Sequence, residues 1–180
     1  MIYFLTSNNQ KFIEASKILK RFDIEIEQIK FDLDEIQGTS YDVIQRKLED
    51  AVTIFPLGQL IVEDVSLFFN EWNGLPGPFI KSFLDSIGVK KLPGLLKNDF
   101  SAKALTSIGY YDGKDYNYFS GSIDGTIVLP RGENTWGWDE IFQPHFDTRT
   151  FAQMDPETKN GCSDRFLAFE KLGFYIKNNL

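Results

Sequence analysis

Along the first sixty residues the spacing of apolar positions changes period several times. Ile2–Leu5 (IYFL) is a short unbroken apolar run, the pattern of a buried strand. The polar tetrad Thr6-Ser7-Asn8-Asn9 that follows is turn and helix-cap chemistry. From Lys11 to Phe22 the residues Phe12, Ile13, Ala15, Ile18, Leu19 and Phe22 recur at helical spacing. Ile24–Ile29 alternates as a strand does. Tyr41–Phe55 predicts a second amphipathic helix with Ile44, Leu48, Ala51, Val52 and Phe55 inward. Leu60–Val62 reads as a buried strand that ends at two adjacent acids, Glu63 and Asp64. The order β-α-β-α-β predicts an α/β fold.

Beyond a loop rich in glycine and proline, Phe79–Ile87 predicts a helix and Leu92–Leu96 a shorter one. Two long strands are expected around Ala104–Tyr111 and Tyr116–Val128, joined through Asp112-Gly113, a hairpin signal. Pro130–Thr135 reads as loop. Asp155-Pro156-Glu157 combines a cap, an N1 proline and a first-turn acid. Ser163-Asp164 caps a last helix running to about Lys177. No repeat or linker divides the chain, so residues 1–180 are expected to form one domain with a strongly twisted mixed sheet between helices.

Composition narrows the chemistry. The single cysteine, Cys162, excludes an internal disulfide and fits a reducing cytoplasm. With His145 as the one histidine, four-ligand Cys/His zinc sites are excluded, so any metal must sit on oxygen ligands, as Mg²⁺ or a similar hard cation does. A net charge of −7 argues against nucleic-acid or anionic-membrane partners. No apolar run approaches the roughly 18–20 residues of a membrane span, and MIYFLTSNNQK lacks the basic start and cleavage site of a signal peptide. A small anionic substrate stays open, provided lysines gather in one cleft.

Five segments carry candidate chemistry. Thr6, Ser7, Asn8 and Lys11 sit between the first strand and first helix, where free N–H groups and a partial positive charge hold phosphates; an ordinary cap is the competing reading. Asp32-Leu33-Asp34-Glu35-Ile36-Gln37-Gly38 places three acids beside a turn glycine, as a cation site or a solvated loop, with Lys47 on the helix beyond. Glu63 and Asp64 lie at a strand end, pointing to opposite faces, and Gly74-Leu75-Pro76-Gly77-Pro78 is a stiff turn that aims Lys81 into the same cleft. Trp136-Gly137-Trp138-Asp139 offers flat faces for a base, close backbone approach and an acceptor; one of the tryptophans reads as core. Lys159-Asn160-Gly161-Cys162-Ser163-Asp164-Arg165 sets a lysine and a forked arginine around a helix start, with capping a competitor at Asp164.

Taken in order, TSNNQK, DLDEIQG, VED followed by GLPGPFIK, GWD, and FAQM…KN…S-x-R resemble the inosine triphosphate pyrophosphatase family over nearly the whole chain. The resemblance implies an elongated, two-lobed α/β domain with a central substrate cleft, usually a homodimer, using Mg²⁺. It implies hydrolysis of non-canonical purine nucleoside triphosphates (ITP, dITP, XTP) to the monophosphate and pyrophosphate. Thr6, Ser7, Asn8 and Lys11, with Lys47, Lys81 and Lys159, would hold the triphosphate. Glu35 would ligate Mg²⁺, and Asp64 would assist the metal and activate water. Trp136 would stack on the base, and Gly137, Trp138, Asp139, Ser163, Asp164 and Arg165 would complete its pocket.

The chain departs from the family pattern at three points. Asp164 stands where the family usually has histidine, Glu140 where proline is common, and Trp136 where phenylalanine is usual. A histidine donates, whereas an ionised aspartate only accepts. The swap therefore implies altered or relaxed base preference with hydrolysis retained. Two other readings use the same residues, namely a pyrophosphatase of modified pyrimidine triphosphates and a nucleotide-binding protein without turnover.

Overall fold

The computed structural model describes residues 1–56 and 58–179. Seven strands form one mixed sheet: β1 (Ile2–Leu5), β2 (Ile26–Ile29), β3 (Gln59–Phe69), β4 (Pro76–Gly77), β5 (Ser101–Tyr111), β6 (Tyr116–Ile127) and β7 (Phe142–Pro144). Their order is β2-β1-β3-β5-β6-β7, with β4 also paired to β3. β2, β1 and β3 run parallel, and the rest pair antiparallel. Among the described residues five α-helices accompany them: α1 (Asn9–Lys20), α2 (Ser40–Ile54), α3 (Ile80–Ile87), α4 (Pro156–Lys159) and α5 (Asp164–Asn179).

The two faces of the sheet are covered by different helices. α1 and α5 bury Ile18, Leu19, Phe169 and Leu172 against Phe4, Ile61 and Ile108. α2 buries Ile44, Leu48 and Ala51 against Leu5, Leu60 and Val62 on the opposite face. A further cluster gathers Leu67, Phe69, Ile80, Phe142 and Phe151 beyond the middle of β3. The buried phenylalanines fall in two of these three clusters, Phe4 and Phe169 in the first and Phe69, Phe142 and Phe151 in the last.

The α-helices hold to their expected places within a residue or two, but the helix expected over Leu92–Leu96 is a 3₁₀ stretch, Val89–Leu95, and two details differ. Ile13 is exposed, and Glu14 takes a buried place on α1. Helical spacing alone favours Ile13. Glu14 wins because Arg165 and Lys159 face it and neutralise its charge. Ser163 Oγ accepts the Phe166 N–H and caps α5, so the capping reading of Asp164 gives way to a different contact.

α5 lies against β6 at unusually close range through Gly121. A Cβ there would stand 2.2 Å from the backbone oxygen of Asp164 and 2.5 Å from the Ala168 nitrogen. Gly121→Ala must therefore push the start of α5 off the sheet. Its expected cost is about 1–3 kcal/mol in urea denaturation. An unchanged midpoint would contradict this packing.

Candidate active site

The cleft opens where the sheet changes from parallel to antiparallel. β1 ends at Leu5, and its register on β3 ends with Phe4 opposite Ile61. β4 returns onto β3 at Leu67 and Phe68. Between these points residues 62–66 pair with β5 on one side, and among the described residues no strand covers their other side. Such a discontinuity outside strand C-termini is where α/β sheets place ligands. The strand does not stop at the acids, as the sequence reading expected, but runs on to Phe69. Glu63 and Asp64 are tolerated inside a buried strand because each meets cations, while Val65, Leu67 and Phe69 continue into the next apolar cluster.

A cavity of about 530 Å³ fills this opening. Thr6, Ser7, Asn8, Lys11, Glu35, Lys47, Asp64 and Lys81 line it together with Trp136, Gly137, Trp138, Asp139, Lys159, Ser163, Asp164 and Arg165. The five sequence segments therefore converge on one place. Glu63 and the apolar side chains of Val62, Val65, Ile80 and Leu84 line it as well.

At one end the start of α1 borders the cavity through Asn8 and Lys11. Asn8 Oδ1 accepts the Gln10 and Lys11 N–H groups, so this carboxamide oxygen caps the helix and is not free for a ligand. Thr6 Oγ1 accepts the Asn8 N–H, and Ser7 Oγ donates to Asp32. The loop is thereby stiffened, with the cationic Lys11 beside it. The Gly-Pro segment forms β4 and turns through Gly77 (φ 56°) into α3, which brings Lys81 to the cavity wall.

The charges divide into two groups. In the first, Lys47 Nζ lies 2.7 Å from Glu35 and 2.8 Å from Asp64. Two carboxylates share one lysine, so the trio carries net −1. Asp64 Oδ2 is buried without a hydrogen-bond partner, which no other buried side-chain polar atom is among the described residues. Burial pushes Asp64 up from its ordinary value, and Lys47 only partly offsets this. Glu35 meets the same burial penalty, but Lys47, Lys81 and Lys11 together hold it below its ordinary value. A surplus negative charge with an unpartnered oxygen fits a hard divalent cation.

In the second group six charges alternate in sign: Lys11, Glu63, Arg165, Glu14, Lys159 and Asp139. Lys11 reaches Glu63 at 3.2 Å. Arg165 makes a two-pronged bond to Glu63 (3.0 and 2.9 Å) and a third bond to Glu14. Lys159 lies 3.6 Å from Glu14 and donates to Asp139. This group is neutral overall. Its order follows from desolvation, since buried charges persist only when paired. Arg165, expected to fork onto a ligand, spends three of its five N–H groups on these carboxylates.

Glu63 sits deepest in this chain. Burial raises its pKa, but Arg165 and Lys11 outweigh burial and hold it at about 2, against an ordinary 4.5. A depressed carboxylate stabilises the fold above its unfolded pKa and ceases to do so as pH falls through the folded one. Stability should therefore drop by roughly 3 kcal/mol from this group between about pH 4.5 and about pH 2. Glu63→Gln should flatten that part of a stability–pH profile, and an unaltered acid limb would contradict it.

The aromatic end completes the cavity. Trp138 is buried in the core, and Trp136 is half-buried with its ring over Lys159 (5.0 Å) and Arg165 (4.9 Å). Gly137, with φ 60°, makes the turn between them. Burial pushes Asp139 up to about 6 against the pull of Lys159. Asp164 is buried, lines the cavity, and accepts a 2.6 Å bond from Thr106 Oγ1. Glu14 and Thr106 were not singled out in the sequence. Glu14 had a signal, three residues after Lys11 on the face that bears Ile18. Thr106, inside an alternating strand, had none.

Fold and cavity together define a class, mixed α/β proteins that hold a charge-lined cleft at the open edge of a central strand. Comparison gives the particular group. A family profile described as the Ham1 family matches residues 2–175, and the chain belongs to that family. It is 42% identical over 179 residues to the inosine triphosphate pyrophosphatase of Yarrowia lipolytica, covering 97% of this chain and 95% of that one. It is 39% identical to the inosine triphosphate pyrophosphatase of Schizosaccharomyces pombe, covering 98% and 95%. The fold matches a HAM1 protein from Coxiella burnetii with a TM-score of 0.85 and 26% identity over 99% of both chains. It matches the Staphylococcus aureus Ham1 protein at 0.83 and 26% over the whole of both.

Proposed function

We propose that the protein hydrolyses non-canonical purine nucleoside triphosphates (ITP, dITP and XTP) to the monophosphate and pyrophosphate, and that it does so with Mg²⁺. The observation that carries the reading is the convergence on one cavity of a lysine-flanked helix start, the Trp136–Asp139 segment and Asp64, whose buried Oδ2 has no partner among the described residues. The names of the relatives above support the same substrate class.

In this reading Thr6, Ser7 and the Lys11 ammonium, beside the partial positive charge of the α1 start, hold the terminal phosphates. Lys81 and Lys159 add positive charge, and Lys47 fixes Glu35 and Asp64 at its own nitrogen. Glu35 and Asp64 would hold Mg²⁺, which when bound supplies charge neutralisation on the phosphates. Asp64 Oδ2, free of any protein partner, accepts a proton from the water that attacks the α-phosphorus. That oxygen is ready for the task because burial already raises its basicity. Trp136 stacks on the base, and Trp138, Asp139, Ser163, Asp164 and Arg165 close the pocket around it. Four lysines thereby reconcile a −7 chain with a polyanionic substrate. The resemblance extends the proposal to a cytoplasmic homodimer.

The test is pyrophosphate release from ITP, dITP, XTP, GTP, ATP and dTTP. Preference for the first three by about a hundredfold or more is expected. Equal turnover of all six, or preference for dTTP, would overturn the substrate assignment.

A further inference from the structure

Among the described residues, Asp164 is the one carboxylate lining the aromatic end of the cavity that has no cation bonded to it. Asp139 is bonded to Lys159 and Glu63 to Arg165 and Lys11, whereas Asp164 meets only a hydroxyl, Thr106 Oγ1 at 2.6 Å on Oδ2. Its other oxygen, Oδ1, makes no hydrogen bond among the described residues. That oxygen is not sealed away, because the one solvent-excluded side-chain polar atom without a partner among the described residues is Asp64 Oδ2. Asp164 lines the cavity, so Oδ1 opens onto it. The residue is only 7% exposed.

We propose that Asp164 reads the purine in its neutral form, donating its carboxyl proton to the oxo group of hypoxanthine or xanthine, so that preference over amino-purines weakens as pH rises. The inference rests on the substrate reading above and deepens it. Protonated, Asp164 has Oδ2 held by Thr106 and a donor at Oδ1; ionised, it repels an oxo group and accepts from an exocyclic amine. No bond is made or broken in this step beyond transfer of the carboxyl proton from and to solvent.

The surroundings move Asp164 toward its neutral form relative to a solvated aspartate. Burial raises Asp164, and Glu63 on β3 raises it further. Arg165 on its own helix, Thr106 on β5 and Lys159 at the end of α4 act the other way but do not overcome burial. Arg165 is already committed to Glu63 and Glu14, and Glu14 on α1 faces Arg165 rather than Asp164. On β6 the nearest residue is Gly121, which carries no charge. An ionised aspartate at this position would simply exclude oxo-purines. The neutral acid instead supplies the donor that the sequence reading took to be lost.

Calorimetric binding of IMP and AMP to the whole protein in Mg²⁺ buffer, over the whole pH range in which the protein stays folded, tests this. Both ligands carry the same phosphate, so its titration cancels in the ratio of their Kd values. In the wild type the preference for IMP should fall by about tenfold across the range. Asp164→Asn keeps the acceptor for Thr106 and presents a permanent N–H donor. Its preference should be independent of pH and equal the wild type at low pH. Thr106→Val removes the bond that favours the ionised form, and should shift the fall to higher pH. A flat wild-type ratio, the same slope in Asp164→Asn, or no binding of IMP overturns the proposal. Turnover is read separately. IMP discrimination without pyrophosphate release from ITP would leave this inference standing and remove the enzymatic reading.

Discussion

Asp64→Asn should lower kcat for pyrophosphate release from ITP by at least about a hundredfold, the usual scale for loss of a positioned base. The variant keeps the shape of the side chain and an acceptor for Lys47, so the trio of Glu35, Lys47 and position 64 stays assembled. What it loses is the surplus charge and the basicity of Oδ2. Stability should move the other way. Asp64 has its pKa raised by burial, so its ionised form is disfavoured in the folded state. The resulting destabilisation is present above the folded pKa and disappears below the unfolded one. At neutral pH the Asn variant should therefore denature at or above the wild-type midpoint, a trade of stability for function. Steady-state kinetics and a urea titration check both halves. Activity within about twofold of wild type would remove Asp64 from the chemistry.

The largest structural effect is expected at Arg165. Arg165→Met leaves Glu63 with Lys11 alone and Glu14 with Lys159 alone, all in a buried setting. Breaking a buried network by removing one partner typically costs 3–5 kcal/mol. The two remaining pairs place this case near ~3 kcal/mol at neutral pH. Trp136 also loses a cation beneath its ring, which should raise KM for ITP. The loss should shrink toward about pH 4, where the stranded carboxylates take up protons. Urea denaturation at neutral and acid pH measures it. A loss below about 1 kcal/mol, or one independent of pH, would show that Arg165 is not the centre of the charge chain.

Much of this architecture was legible because single residues carry clear instructions. Short apolar runs and the Asn8 cap place β1 and α1. Asp112-Gly113 places the β5–β6 hairpin. The five motif segments converge because each sits at an element boundary that faces the open edge of β3. What was not legible depends on partners distant in sequence. β3 reads as ending at Glu63 because two acids look incompatible with a buried strand; Arg165, 102 residues away, neutralises Glu63, and Lys47 neutralises Asp64. Glu14 lies on the helix face that bears Ile18, but its burial depends on Arg165, 151 residues away. Thr106 reads as any strand threonine, yet it holds one oxygen of Asp164 and leaves the other to the cavity. Local pattern reports the elements, while the neutralisation of buried charge is decided by pairs no window spans.

The central claim is that this cavity splits a purine triphosphate between its α- and β-phosphates. Chromatographic identification of the products from ITP and Mg²⁺ tests it most directly. Equal amounts of IMP and pyrophosphate, formed by the wild type and not by Asp64→Asn, are the predicted result. IDP with inorganic phosphate, or intact ITP after prolonged incubation, would contradict it.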